Sequence, residues 1–250
     1  MTLGRLIPIA AGSGAWNMAT DQALLESVDA SQIPVLRFYQ WTKPTVSLGY
    51  FQKLDDRQLH PASFDRQEVD CVRRSTGGGA IVHDHELTYS VAIPVQRTEM
   101  GARLELYHGI HAAIARCISE LGVRAIAFGS DPQWAGDSDS FLCFQRRTDE
   151  DLIACGYKIL GSAQRRTKSA VLQHGSLLLK ASRFAPELPG LLDLGMRDIA
   201  INEFVELISR RISDVLGHQW KESALSMAET ENAESIAKRK YADTSWTCRR

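Results

Sequence analysis

No stretch of this chain stays apolar for the roughly 20 residues that a bilayer-spanning helix needs, and neither sign of charge dominates: the formal net charge is −1 over 250 residues. A general nucleic-acid or membrane-surface binder is thereby disfavoured. The five cysteines, Cys71, Cys117, Cys143, Cys155 and Cys248, include no CxxC pair. An odd, scattered set fits neither a disulfide framework nor a zinc site, so each is judged singly as core filler or nucleophile. The opening MTLGRLIPIAAGSGAW has one arginine and a broken run of small residues. That is a poor secretory signal, and the expected location is the cytoplasm. Internal repeats, low-complexity tracts and clear linkers are also lacking, so residues 1–250 are read as a single domain. At 44% hydrophobic and 24% charged, the composition is that of an ordinary globular chain.

What is present is a mixture of periodicities. Residues 15–28 favour helix and end before Pro34, and 104–121 repeat apolar residues at i, i+3/i+4 before Gly122. Residues 201–216 are amphipathic and 222–241 rich in Ala and Glu, which predicts a C-terminal helical segment over about 201–241. Runs rich in β-branched and aromatic residues at 35–41 and 45–51 flank Lys43-Pro44. Further strands are expected at 69–73, 80–82, 87–94 and 123–128, a short helix and loop at 54–64, and a polar loop at 129–140. Residues 156–180 read as a hairpin with its loop at 165–169. Strands that follow one another directly between irregularly spaced helices predict an α+β fold, a mixed and mostly antiparallel sheet flanked by helices.

Three features carry chemistry. Lys158 interrupts an apolar strand; either it lies on the surface, or it faces a pocket and acts on something anionic. Arg73-Arg74-Ser75-Thr76-Gly77-Gly78-Gly79 places three glycines after a strand. Such glycines let backbone approach a ligand and turn N–H groups toward it, and the arginines could pair with phosphate or carboxylate. A tight turn with solvated arginines fits the same letters, and the segment is neither a P-loop nor GxGxxG. His83 and His85, at i, i+2, could ligate a metal from one strand face. No third ligand stands at a suitable spacing, so no metal is expected; the blander reading is a polar turn with one histidine facing a pocket.

Among the cysteines, Cys117 falls on the apolar stripe of 104–121 and is read as core. Cys143 and Cys155 are each either inert or functional. Lys158, fifteen positions after Cys143 across a strand pair, favours Cys143. An ammonium close to a thiol favours the thiolate, and one pKa unit corresponds to about 1.4 kcal/mol. That poises a nucleophile for thioester chemistry, provided the two groups lie within about 8 Å.

The segments RRSTGGGAIVHDHELTYSV, GYKILGSAQRR and LQHGSLLL, in that order, resemble the lipoate and biotin protein ligase/acyltransferase superfamily; WNMATDQALLE, LRFYQW and TVSLGYFQ agree with its N-terminal part. The resemblance runs from about residue 16 to 179 and implies the class II aminoacyl-tRNA synthetase-like catalytic domain of that superfamily. Two chemistries occur there. Cysteine octanoyltransferases take octanoyl from acyl carrier protein onto a loop cysteine. They pass it to a lysine of a lipoyl-accepting protein such as glycine cleavage protein H or a 2-oxoacid dehydrogenase E2 lipoyl domain. Ligases instead use ATP and Mg to make a lipoyl-adenylate. His85-Glu86-Leu87-Thr88-Tyr89-Ser90 and the placement of Cys143-Phe144 resemble the transferases; Gly79 is more ligase-like, and Gln145-Arg146-Arg147-Thr148 departs from the transferase pattern.

The resemblance therefore implies an acyltransferase with Cys143 as nucleophile and Lys158 lowering its pKa and stabilising the oxyanion. Arg74, Gly77, Gly78, Gly79, His83, Gly161, Ser162 and Ala163 would bind substrate, with amides of 77–79 and 162–163 at the acyl carbonyl. Leu48, Tyr50, Val82 and Val91 would form the slot for the eight-carbon tail. No permanently bound cofactor is implied, since octanoyl or lipoyl is substrate, and ATP and Mg belong only to the ligase alternative. Arg146-Arg147, Arg165-Arg166, Lys168 and Arg249-Arg250 either meet acidic carrier domains or are simply solvated.

Overall fold

The computed structural model describes residues 2–56, 68–95, 101–130 and 140–250. In chain order the elements are β1 (Thr2–Gly12), α1 (Gly14–Ser31), β2 (Val35–Trp41), β3 (Thr45–Leu48), β4 (Asp70–Arg73), β5 (Ile81–His83) and β6 (Glu86–Pro94). There follow α2 (Ala102–Glu120), β7 (Ile126–Ala127), β8 (Leu152–Ala154), β9 (Tyr157–Arg166) and β10 (Ala170–Leu178). The chain continues with α3 (Ile201–Leu216), β11 (His218–Glu222), α4 (Met227–Ile236) and α5 (Thr244–Thr247), with a π-helical turn at Ala237–Tyr241. The α+β expectation holds. Eight strands form one sheet in the order β11-β1-β2-β6-β10-β9-β8-β7, parallel at β11-β1-β2 and antiparallel elsewhere. A second sheet, β4-β3-β5, stands beside it.

Several boundaries move. The 45–51 strand stops at Leu48, and the 123–128 strand shrinks to two residues. The C-terminal segment is not wholly helical, because His218–Glu222 pairs in parallel with β1. The first strand has no counterpart in the sequence reading, whereas most of the 54–64 segment and of the 129–140 loop lies outside the described residues.

The large sheet is covered on both faces. Alternation along β2 sends Leu36 and Phe38 into a core with α2 and α3, and Val35, Tyr39 and Trp41 to the opposite face beside α1. Cys117 is fully buried in the first of these cores, and burial pushes its thiol up to about 12, as suits a core filler. On the α1 face the central strands turn polar: Arg37, Glu86, Thr88, Ser90, His174 and Ser176 are all buried there. Buried polar groups need partners, and these find them in one another and in α1, as described below.

The C-terminal helix α4 is fastened to α1 and β1 by Glu229. Its carboxylate takes two hydrogen bonds from Arg5 at 2.6 and 2.8 Å, one from Ser27 and one from the Ser226 amide. Burial alone would raise its pKa, but these donors, Arg5 first, bring it from 4.5 down to about 2. A depressed carboxylate contributes stability that is fully present above about pH 4.5 and lost as pH falls toward 2. Glu229→Gln is expected to cost about 1–2 kcal/mol at pH 7, discounted for partial solvent screening. Urea unfolding of both proteins from pH 7 to 2.5 checks this, since the gap between them should close as the wild type is acidified.

Candidate active site

Lys158 is not a surface residue: its side chain is 3% exposed and faces inward. Its ammonium has three hydrogens and three acceptors in reach: Asp151 Oδ2 at 2.7 Å, the Cys143 carbonyl at 3.3 Å and Cys143 Sγ at 3.7 Å. The sulfur and ammonium are thus in contact, well inside the 8 Å limit. Asp151 is the residue the sequence reading missed. It is as buried as the lysine, and burial pushes its carboxyl up while the Lys158 charge pulls it down. The Thr148 amide donates to the same oxygen, Asp151 Oδ2, at 2.7 Å.

Cys143 opens a 3₁₀ turn, Cys143–Gln145, and is half-buried. Its amide donates to the Ala80 carbonyl at 2.7 Å, and Ala80 in turn donates to the Phe141 carbonyl, so the turn is stitched to the strand that enters β5. Gly79 makes this possible: a Cβ there would stand 2.9 Å from the Cys143 nitrogen and 3.0 Å from its Cα. Arg146 and Arg147 bond the turn's own carbonyls, those of Ser140, Phe144 and Arg146 itself, rather than projecting toward a partner. Cys155 lies elsewhere, exposed, at a turn with φ 48°.

A cavity of about 180 Å³ opens beside the sulfur. All ten sequence-predicted site residues except Lys158 and Gly79 line it, together with Met18, Tyr39, Ile81, Thr88, His174 and Ser176. Those two stand directly behind the wall, since Gly79 packs on Cys143 and Lys158 touches its sulfur. The tail slot is a correction. Leu48, Tyr50, Val82 and Val91 do not line the cavity; Leu48 and Val82 point into a core with Phe141 and Phe184, and Val91 into the α2 core. Strand parity explains it, because Ile81 and His83 face the cavity and Val82 between them faces away.

The arginines also differ from expectation. Arg74 reaches the cavity wall, but its guanidinium already donates to the Ser47 carbonyl and hydroxyl at 2.7 Å each and to the carbonyls of Gly77 and Gly79. Arg73 is fully buried and holds the carbonyls of Gly49, Gln52 and Thr247. Arg74 thus holds the glycine loop from within, while Arg73 ties the Gly49–Gln52 segment to the C-terminal Thr247. The amides of Gly77 and Gly78 donate to no acceptor among the described residues, and Gly78 has φ 95°.

Behind the cavity, His83 stacks on Trp41 with centroids 3.8 Å apart. Since Arg74 donates to the Ser47 hydroxyl, that hydroxyl donates onward to His83 Nε2 at 2.7 Å, leaving the ring proton on Nδ1, 3.4 Å from Glu86. Burial pushes the ring's pKa down and keeps it neutral. Glu86 also accepts from Thr88 and Ser176. His174 joins Thr76 to Asp21, whose carboxylate additionally receives Arg37, Tyr39 and Ser90. Burial would raise Asp21, yet His174 and Arg37 outweigh it and lower its pKa.

The third wall holds a directed chain. Burial pushes His111 down to about 3, so its neutral ring donates from Nδ1 to the Glu150 carbonyl and accepts at Nε2 from Ser162. Ser162 accepts from Tyr89, and Tyr89 from Gln173. The Ser162 amide is not free for a substrate carbonyl as expected, because it donates to the Tyr107 hydroxyl at 3.0 Å. Gly161 leaves room for the lysine: a Cβ there would lie 2.5 Å from Lys158 Cε and 2.9 Å from Nζ. Gly161→Ala should therefore displace the ammonium and lower the site's activity about 10²-fold, the scale of a 1 Å misplacement, with only about 1–3 kcal/mol lost to overpacking. Initial rates and a thermal melt separate the two effects.

Among the described residues no group of three or more His, Cys, Asp or Glu side chains could hold a metal ion, and no helix is long and apolar enough to cross a membrane.

Residues 13–211 match the lipoyl protein ligase A/B catalytic domain family. The chain is 32% identical over 273 residues to octanoyltransferase LipM of Carboxydothermus hydrogenoformans, covering 100% of both chains. It is 32% identical over 282 residues to octanoyltransferase LipM of Bacillus subtilis, covering 98% of each. Its fold is similar to that of lipoate-protein ligase A bound with ATP, at a TM-score of 0.78 and 23% identity over 99% of both chains.

Proposed function

The chain belongs to the lipoyl protein ligase A/B catalytic domain family, and we propose that it transfers octanoyl from acyl carrier protein to a lysine of a lipoyl-accepting protein through an acyl-Cys143 intermediate. It is an acyltransferase of protein lipoylation, like the full-length octanoyltransferases it is similar to. The observation that supports the cysteine route is the contact between Cys143 Sγ and the Lys158 ammonium at 3.7 Å, at the edge of a closed-backed cavity. In the first half-reaction the sulfur attacks the donor thioester carbonyl; a new C–S bond forms, the donor's C–S bond breaks, and the donor leaves as a thiol carrying the proton Cys143 gave up. In the second, an acceptor lysine amine attacks the acyl-cysteine carbonyl, an amide C–N bond forms, the acyl C–S bond to Cys143 breaks, and the Cys143 sulfur leaves as a thiol with the proton the nitrogen gives up. Thioester exchange is nearly neutral in energy and amide formation is downhill, so no ATP enters. Lys158 would supply a positive charge in contact with the sulfur, and the Gly77 and Gly78 amides, which bond no acceptor among the described residues, would meet the oxyanion.

The domain reading of one catalytic unit over 1–250, and the lipoyl-domain acceptor, form part of this proposal. Intact mass after incubation with octanoyl-acyl carrier protein, without ATP, tests it. An octanoyl adduct that a lipoyl domain then discharges is the expected result. No adduct, together with ATP-dependent attachment of free lipoate to the lipoyl domain, would replace the transferase by the ligase chemistry.

A further inference from the structure

A cluster of cations stands on the outer side of the glycine loop. The Arg249 guanidinium lies 4.1 Å from the Tyr50 ring and 4.5 Å from Trp246; Lys240 is 4.4 Å from Trp246, and Arg250 is 5.3 Å from the exposed Phe51. Arg165 approaches from β9 and donates to the Ser75 carbonyl at 2.8 Å. The same groups grip the loop: the Tyr50 amide holds the Thr76 carbonyl, and the Trp246 indole holds that of Arg73. The loop's inner side, Gly77 and Gly78, lines the cavity beside Cys143. The cluster thus forms a positive rim around the loop that walls the cavity, without lining the cavity itself.

Among the described residues none of these four cations has an Asp or Glu oxygen within 4.0 Å. Glu26 is close enough to act on Lys240 but is itself held by Gln22 and Asn232. The strain of like charge registers on Lys240, which burial first, and then Arg165, Arg239 and Arg249, bring down to about 8. In a chain whose net charge is only −1, a crowded positive rim with no Asp or Glu partner among the described residues calls for an anion from outside.

We propose that the rim formed by Arg165, Lys240, Arg249 and Arg250 is the docking surface for the acyl donor, an acidic carrier protein that presents octanoyl on a phosphopantetheine thioester. The inference rests on the acyl-transfer reading above. Chemistry favours the donor over the acceptor: the donor's arm carries a phosphodiester anion, whereas the acceptor must bring in a lysine, which a cationic rim repels.

The test separates the half-reactions. Acylation of Cys143 is timed by mass spectrometry with octanoyl-acyl carrier protein and with S-octanoyl-N-acetylcysteamine, a neutral thioester without protein or phosphate. Arg165→Gln/Arg249→Gln is expected to slow the first donor at least about tenfold more than the second and to flatten its salt dependence. Arg210→Gln, an exposed charge change on α3, controls for net charge. Equal loss with both donors, no loss with either, or a loss confined to discharge by the lipoyl domain overturns the docking assignment. Failure of wild-type Cys143 to acylate from either donor would instead overturn the transferase reading on which it rests.

Discussion

Cys143→Ser should give no octanoyl adduct from acyl carrier protein and lower overall transfer at least about 10³-fold, as removal of a catalytic nucleophile does. A serine hydroxyl is a far weaker nucleophile than a thiol and gains little from an ammonium alone; among the described residues no histidine of the cavity is placed to take its proton. His83 and His174 are tied into networks with Ser47, Glu86, Thr76 and Asp21, and neither bonds Cys143. The backbone of the turn is held by Ala80 irrespective of the side chain, so the melting temperature should stay close to that of the wild type. Retention of more than a tenth of the activity would show that Cys143 is dispensable.

The second large effect concerns Asp151 and Lys158 together. Breaking a buried pair by removing one partner strands the other charge and costs about 3–5 kcal/mol, while replacing both by apolar groups is often neutral. Asp151→Asn and Lys158→Met should each destabilise by that amount, and Asp151→Leu/Lys158→Met should recover most of the loss. Activity should not follow stability: the double variant folds but acylates Cys143 about 10²-fold or more slowly, because the sulfur has lost its neighbouring charge. Denaturant unfolding beside single-turnover acylation reads both quantities. If the double variant regained activity along with stability, the lysine would be a structural element only.

How far the sequence disclosed this arrangement depended on periodicity. The hairpin β9–β10 and helices α2 and α3 announced themselves through runs long enough to show a period. β1 did not: Gly4, Pro8 and two alanines dilute its alternation, and its place in the sheet comes from parallel pairing with β2 and β11, at a distance no local pattern encodes. Asp151 was hidden for a similar reason. Asp149-Glu150-Asp151 reads as a solvated acidic run, and only the irregular register of β8 against β9 brings the third carboxylate to Lys158. Asn17, Thr20 and Asp21 carried a signal that went unused, polar residues standing among Met18, Ala19, Leu24 and Leu25 on the buried side of α1. The acyl-tail slot failed by a single residue of strand parity: residue type suggested Val82, and the pleat presents Ile81 and His83. The arginine pair misled because letters carry no hydrogen-bond inventory: carbonyls of the glycine loop already occupy Arg74, and those of Gly49, Gln52 and Thr247 occupy Arg73.

The bridge between Ala80 and Leu142 has a further consequence. It fastens the sulfur to the three-stranded sheet, whereas the ammonium rides on β9 of the eight-stranded one. The 3.7 Å between them is therefore a gauge of how the two sheets seat against each other. A change far from the cavity that shifts that seating by a fraction of an ångström would detune the reaction while leaving every catalytic side chain intact.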